Sequence, residues 1–305
     1  MKVSVIGAAG AVGAPVAFYA AVSGLVEELV LIDIRSNVVE QHAMDMSTAV
    51  SALNIKIIAG ETADMAGSDV VINAAGMPQG LIRDRMEMLP KNIPLVRDAA
   101  LQIKQFCPNA IVISATNPAD PLNYAMRLVG GFDRFKVLGY SLNDSLRFRE
   151  FIARAKGVKT SQVQAVVIGE HGSTQVPLFS SARIDGATVS FTEAEKKGIL
   201  GEIPNILKKL EELQSGRTAG WTCAVGIAQI LRAIVNDTDE VFPCSIVLDG
   251  EYGQSNISVS VPVRLGRNGV REIQVLSLEP DEQAAFAISA AALSKAARIV
   301  DEALR

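Results

Sequence analysis

Lys2-Val3-Ser4-Val5-Ile6-Gly7-Ala8-Ala9-Gly10-Ala11-Val12-Gly13 opens the chain and decides its fold, together with Pro15 to Val22 and Leu29-Val30-Leu31-Ile32-Asp33. The first five residues form a short β-branched run, read as a buried strand. Three glycines follow at Gly7, Gly10 and Gly13, and the alanines and apolar residues after Pro15 suit a helix. Leu29 to Ile32 is a second buried strand, closed by an acid twenty positions after the last glycine. Each part has a physical task in a dinucleotide site. Glycine at the turn permits positive φ and lets main chain approach a pyrophosphate. The helix N-terminus presents free N–H groups and partial positive charge. Asp33 can accept hydrogen bonds from both ribose hydroxyls of an adenosine, and its charge would repel a 2′-phosphate, so NAD is expected rather than NADP. The spacing is G-x-x-G-x-x-G, one residue longer than the usual G-x-G-x-x-G, so the flanking strand, helix and acid carry the assignment.

The alternation continues downstream. Ile55 to Ile58, Asp69 to Asn73 and Ala110 to Ser114 read as strands, with helical stretches at Val38 to Leu53 and Arg85 to Phe106 between them. Strands alternating with helices predict a doubly wound parallel sheet of the Rossmann kind, with ligands at the strands' carboxyl ends. Those ends are Gly7, Asp33, Ala74-Ala75-Gly76 and Thr116-Asn117-Pro118.

The second half changes character. Val163 to Ile168 reads as one buried strand, and Val241 to Leu248, Ile257 to Leu265 and Glu272 to Leu278 read as antiparallel strands. Helices are expected over Glu193 to Gln214, Trp221 to Asn236 and Glu282 to Leu304. The predicted organisation is α/β: a dinucleotide-binding domain over residues 1–139, then an α+β catalytic, substrate-binding domain over 140–305.

Gly169-Glu170-His171-Gly172 ends the strand that starts at Val163 and contains one of only two histidines. Flanking glycines leave room beside an imidazole that titrates near neutrality, a setting suited to proton transfer. Leu142 to Arg149 opens a helix that Asn143 or Asp144 could cap, with Asp144 and Arg147 on one face. Those two side chains read either as a cap and a surface ion pair, or as an orienting group for His171 and a grip for a substrate carboxylate. Met77 to Arg85, rich in glycine, proline and arginine, reads either as a solvated loop or as a lid over an anionic substrate. His42, on a polar helix, reads as structural.

Composition narrows the classes. The chain has 305 residues, 49% of them apolar, and a net charge of −4, which excludes a polyanion as main partner; no basic run suggests nucleic acid. Cys107, Cys223 and Cys244 are too widely spaced for a disulfide framework or zinc site, so a reducing cytoplasm is expected and no metal. Gly7, Gly10, Gly13 and Pro15 interrupt what would otherwise mimic a secretory h-region, and no stretch reads as a membrane span.

Taken in order, the glycine turn, Leu31-Ile32-Asp33, Ala75-Gly76, Arg85 seven before Asn92, Asn117-Pro118-Ala119-Asp120, Asp144-Ser145-Leu146-Arg147 and Gly169-Glu170-His171-Gly172 resemble the NAD-dependent malate and L-lactate dehydrogenases over essentially the whole chain. The resemblance implies an L-2-hydroxy acid dehydrogenase, with Gly7, Gly10, Gly13 and Asp33 binding NAD. It implies that His171 is the proton acceptor in oxidation and that Asp144 holds its ring and favours the imidazolium. Arg147 would pair with the substrate carboxylate and Arg85, on the mobile loop, would polarise the carbonyl. Asn117 would contact the substrate oxygen at the cofactor site, and Asn92 the nicotinamide side. A homo-oligomer, dimer or tetramer, is likewise implied by resemblance alone.

Two departures bear on substrate. Malate enzymes of the family generally place Arg at a loop position that by spacing is Gln79 here, and lactate enzymes place Gln. A neutral amide lacks the charge-assisted fork, which favours a monocarboxylate unless Arg83 substitutes. The long glycine turn, and Ala219 near a position that is Thr in lactate enzymes, point to the malate branch, which is the first expectation. The second departure is Gly139 to Asn143, one residue longer than usual, which bears on how Asp144 meets His171. An NAD-dependent glycosidase and a non-catalytic NAD-binding sensor are the alternatives from other classes; the first would need a metal and the second would not need His171, Asp144, Arg147 and Arg85 together.

Overall fold

Strands buried on both faces need unbroken apolar runs, and the first half supplies them. In the computed structural model, β1 (Lys2–Ile6) is followed by α1 (Gly13–Val22), β2 (Glu28–Ile32), α2 (Ser36–Ala49), β3 (Lys56–Ala59), β4 (Val70–Asn73), α3 (Leu89–Phe106), β5 (Ile111–Ser114), α4 (Ala119–Gly130) and β6 (Val137–Tyr140). These six strands pair in parallel in the order β3-β2-β1-β4-β5-β6. The order reverses direction between β1 and β4, which opens a crevice beyond their carboxyl ends. Gly7 follows one of these strands and Ala74-Ala75-Gly76 the other, so the glycine turn lies at the crevice. Only β3, at the edge, lacks fully buried residues. The structure describes residues 1–78, 85–213 and 219–305, without the side chains at positions 85, 204–208, 210 and 211.

Beyond β6 come α5 (Leu142–Lys156), β7 (Val163–Gln164), β8 (Val167–Gly169), β9 (Gln175–Pro177), β10 (Arg183–Ile184), β11 (Ala187–Thr188), α6 (Glu193–Glu212), α7 (Gly220–Asn236), β12 (Val241–Asp249), β13 (Ser255–Gly266), β14 (Gly269–Ile273) and α8 (Pro280–Ala303). The sheet does not stop at β6. Cys244 and Ser245 of β12 pair antiparallel with Tyr140 and Gly139, and β13, β8 and β9 extend the same sheet, with β14 on β13. A mixed sheet therefore runs through the molecule and carries the end of β8 toward the crevice. A second, smaller apolar core lies under α5, where Phe179 makes edge-to-face contacts with Phe148 and Phe191 at 5.0 Å each.

Three sequence expectations are corrected. Val163 to Ile168 is not one strand: Val163–Gln164 joins a small sheet with β10 and β11, and Val167–Gly169 joins the large one. The chain crosses between sheets at Ala165, whose carbonyl accepts from Arg149 Nε at 2.9 Å instead of from a strand. The expected strand to Leu278 ends at Ile273. Opposite Gln274 stands Pro262, which donates no N–H, and the Gln274 carbonyl accepts from the Tyr252 hydroxyl at 2.8 Å. Neither Asn143 nor Asp144 caps α5: Ser141 is its N-cap, and both side chains are turned to other partners.

Candidate active site

The glycine turn is built by close approach. Gly7 has φ +83°, and a Cβ there would lie 2.6 Å from the Ala75 nitrogen. A Cβ on Gly13 would lie 2.1 Å from the Gly7 carbonyl oxygen, and the Gly10 N–H donates to that same oxygen at 3.0 Å. The turn is packed against β4's end on one side and leads into α1 on the other. No side chain caps α1 and no acid occupies its first turn, so its N-terminal dipole is left for an anion. Asp33, at the end of β2, is tied to the turn: its Oδ2 accepts from the Ala9 N–H at 3.0 Å, and its Oδ1 from the Arg35 N–H at 3.1 Å and Nε at 3.3 Å. A Cβ-free cradle, an uncapped helix start and a carboxylate beside them fit a dinucleotide.

Asn92 fastens the far wall. Its Oδ1 accepts from the Met77 N–H at 2.8 Å and its Nδ2 donates to the Asn117 carbonyl at 2.7 Å. The Asn92 amide thus joins the start of the Met77 loop to the turn after β5 while also lining the cleft. Gln79 and Arg83 lie outside the described residues, as does the Arg85 side chain.

The end of β8 holds His171. Gly169 has φ +85°, and a Cβ there would meet Ser289 Oγ at 2.7 Å; that hydroxyl instead accepts from the Glu170 N–H at 2.6 Å. Glu170 turns back on its own loop, where its Oε2 accepts from the Thr174 N–H at 3.1 Å and the Thr174 hydroxyl at 2.5 Å. His171 is 6% exposed, and its Nδ1 lies 2.5 Å from Asp144 Oδ2. The other oxygen of Asp144 is 3.5 Å from Arg147 Nη1, one helical turn along α5. The altered register before Asp144 does not separate Asp144 from His171. A cleft of about 1040 Å³ runs from the glycine turn to these side chains, lined by Gly10, Asn92, Asn117, Arg147 and His171 among others. His42 also lines it, with its Nδ1 buried and unpartnered.

Several groups at the site went unread in the sequence. Tyr140 donates from its hydroxyl to Asn143 Oδ1 at 2.6 Å, and Asn143 Nδ2 reaches Cys223 Sγ at 3.3 Å. Burial pushes the Tyr140 phenol well above its ordinary range, so it remains a donor. Asp120, noted only as part of Asn117-Pro118-Ala119-Asp120, is 1% exposed and accepts from the His171 N–H at 2.7 Å and the Ser245 hydroxyl at 2.6 Å. Burial pushes its carboxyl up to about 6, against the opposing pull of those two donors and of the His171 charge. An acid in the first turn of a mostly buried helix was the available signal. Among the described residues no group of three or more His, Cys, Asp or Glu could hold a metal ion, and no helix is long and apolar enough to cross a membrane.

Residues 1–139 match the model of the lactate/malate dehydrogenase NAD binding domain, and residues 142–303 that of the lactate/malate dehydrogenase alpha/beta C-terminal domain. The malate dehydrogenase of Natronomonas pharaonis is 37% identical over 285 residues, 92% of this chain and 93% of the relative. That of Halobacterium salinarum is 37% identical over 286 residues, with the same coverage. The lactate dehydrogenase of Cryptosporidium parvum, solved with lactic acid and nicotinamide adenine dinucleotide, superposes with a TM-score of 0.92 at 32% identity over 98% of each chain. The malate dehydrogenase of Aeropyrum pernix gives 0.91 at 30% identity, also over 98% of each chain.

Proposed function

The chain belongs to the lactate/malate dehydrogenase family, and from that premise we propose that it interconverts L-malate and oxaloacetate. It is an NAD-dependent oxidoreductase acting on the CH–OH group of a small 2-hydroxy acid. The observation that carries the reading is the His171–Asp144 pair, with Arg147 one turn away, in the cleft that the glycine turn opens. NAD, seated at the glycine turn and Asp33, would supply the acceptor for the hydride from the hydroxyl-bearing carbon.

The remaining work falls to side chains. With Nδ1 held by Asp144, Nε2 is the His171 nitrogen that takes the hydroxyl proton in oxidation and returns it in reduction. The Asp144 carboxylate holds the ring's orientation and stabilises the charge it gains. Arg147 grips the C1 carboxylate, and Asn117 holds the substrate oxygen. Arg85 supplies positive charge to the developing alkoxide. Gly7, Gly10, Gly13 and Asp33 seat the cofactor, and Asn92 fixes the two loops at its nicotinamide end. The two functional regions are residues 1–139 and 140–305.

Malate is favoured by relatives that carry that name at 33–37% identity. Gln79 favours a second reading, lactate or another 2-oxo monocarboxylate, because an amide does not pair with a second carboxylate as Arg does. Purified protein with NADH is to be assayed against oxaloacetate, pyruvate and branched 2-oxo acids. The highest kcat/KM is expected with oxaloacetate; a preference for pyruvate would install the second reading, and turnover of none would overturn both.

The protein acts in the cytoplasm, as its three buried cysteines, none in a disulfide, suit. It acts as a homo-oligomer, for α1 and α7 pack together yet leave Phe18, Val22, Trp221 and Val225 exposed, an apolar face suited to a second copy. Sedimentation analysis tests this.

A further inference from the structure

We propose that Asp120 is a positioning residue for the dehydrogenase reaction: it locks the His171 main chain to the Asn117 turn and, as an anion, favours the charged form of the His171 ring. The inference rests on the enzyme reading above, and its subject is a side chain to which that mechanism assigned no part.

Asp120 is the second residue of α4, three positions past Asn117. Its two oxygens are separately committed. Oδ2 accepts from the His171 N–H at 2.7 Å, so any rotation of the carboxylate carries the base with it. Oδ1 accepts from the Ser245 hydroxyl at 2.6 Å. Ser245 Oγ lies 2.9 Å from Ser258 Oγ, and Asn123 Nδ2 donates to both the Ser245 carbonyl and Ser258 Oγ, at 3.0 and 2.9 Å. This buried polar ladder spans α4, β12 and β13 and leaves the carboxylate one orientation. The turn that carries Asn117 and the loop that carries His171 are thereby fastened to one residue, although 51 positions separate Asp120 from His171.

The charge is the informative part. A neutral amide could accept from the same main-chain N–H through its oxygen and donate its NH2 to Ser245 Oγ, whose hydroxyl would then turn to Ser258 Oγ, and a buried carboxylate carries a desolvation cost that the amide avoids. Burial does push this carboxyl up, to about 6, and it remains an anion at neutral pH. Two charged groups act on it: His171 favours the anion and Glu170 opposes it. His171 is also met by Asp144 from α5, which has Arg147 beside it. The imidazolium that donates a proton during carbonyl reduction therefore has Asp144 at its ring and Asp120 at its main chain. A buried negative charge that costs stability and is held 2.7 Å from the main-chain nitrogen of the proposed base is placed to act on that base.

Asp120→Asn tests the proposal, because it preserves shape and the acceptor for the His171 N–H while removing charge, its NH2 donating to Ser245 Oγ where the carboxylate accepted. The chain has two histidines, so their ring protons are separable by NMR titration of the intact protein, with His171→Asn to assign them. In Asp120→Asn the midpoint of the His171 ring titration is expected to move to lower pH by about half a unit or more, with His42 unmoved. For 2-oxo acid reduction kcat should fall roughly tenfold or more, its alkaline limb should move to lower pH, and NADH affinity should stay within about twofold. An unmoved ring titration overturns the proposal, whether kcat is unchanged or falls, since a fall alone marks a structural role. If Asp120→Asn does not fold, Ser245→Ala decides: a smaller shift in the same direction supports the proposal, and no shift overturns it. The titration needs no turnover, so a wild-type protein inactive on every 2-oxo acid would sink the enzyme reading separately.

Discussion

Asp144 Oδ2 lies 2.5 Å from Nδ1 of His171, although the residues are 27 positions apart and stand on different elements. The contact commits Nδ1 to the carboxylate and, on the proposed mechanism, leaves Nε2 for the substrate. His171→Asn is expected to lower kcat by about 10³-fold or more, and Asp144→Asn by about 10² to 10⁴-fold, because the first removes the base and the second leaves it misoriented. NADH affinity, read by fluorescence titration, should change little in either. Retained kcat in His171→Asn would remove His171 from the chemistry.

Asp33 holds Arg35 as well as the glycine turn, through hydrogen bonds of 3.1 and 3.3 Å to its Oδ1. Asp33→Ser would remove the proposed ribose acceptor and release a half-exposed guanidinium beside the place a 2′-phosphate would then occupy. The ratio of kcat/KM for NADPH over NADH is expected to rise by about 10²-fold. A drop in NADH use with no gain for NADPH would mean that Arg35 does not reach the phosphate.

Gly13 has no room for a side chain, since a Cβ would sit 2.1 Å from the Gly7 carbonyl oxygen, and main chain does not yield as a flexible side chain does. Gly13→Ala should lower stability by about 2–4 kcal/mol in urea unfolding and weaken NADH binding together. Wild-type behaviour on both counts would contradict the packing of the turn.

Gln79→Arg adds a guanidinium at the position that, on the family resemblance, would meet a second substrate carboxylate. The kcat/KM ratio of oxaloacetate over pyruvate should rise by about 10-fold or more. An unchanged ratio would mean that position 79 does not face the substrate.

Asp120 has a consequence for stability that runs opposite to its use. Its carboxyl is raised from 3.8 to about 6 in the folded protein. Its stabilising contribution is therefore present below about pH 4 and is lost as pH rises through about 6. At pH 8 Asp120→Asn should unfold at the same or higher urea than wild type, by up to ~3 kcal/mol, and the gain should vanish near pH 4. A variant that is weaker at pH 8 than at pH 4, relative to wild type, would contradict the sign.

Much of the fold was legible because the cues are local. The largely apolar runs of β1, β2, β4 and β5, the three glycines and Asp33 each depend on residues a few positions apart, so their strand, turn and helix readings hold in the structure. Gly169 to Gly172 stood out for the same reason. The split at Ala165 was illegible, since only the position of Arg149 shows where that carbonyl turns. The end of β14 was illegible as well, since it depends on Pro262 in the neighbouring strand and on Tyr252.

From sequence alone, then, came the βα alternation, the dinucleotide turn with Asp33, and a histidine of the right type beside glycines. These follow from backbone sterics and side-chain periodicity, which act over one or two turns of chain. Tertiary structure decided between the two sequence readings of Asp144, cap or partner of His171, and it alone decided that Asn92 would bridge Met77 and Asn117 and that Ser245 and His171 would share Asp120. Those partners meet because the sheet continues from β6 into β12 and β13, and because buried polar groups must find one another once water is excluded.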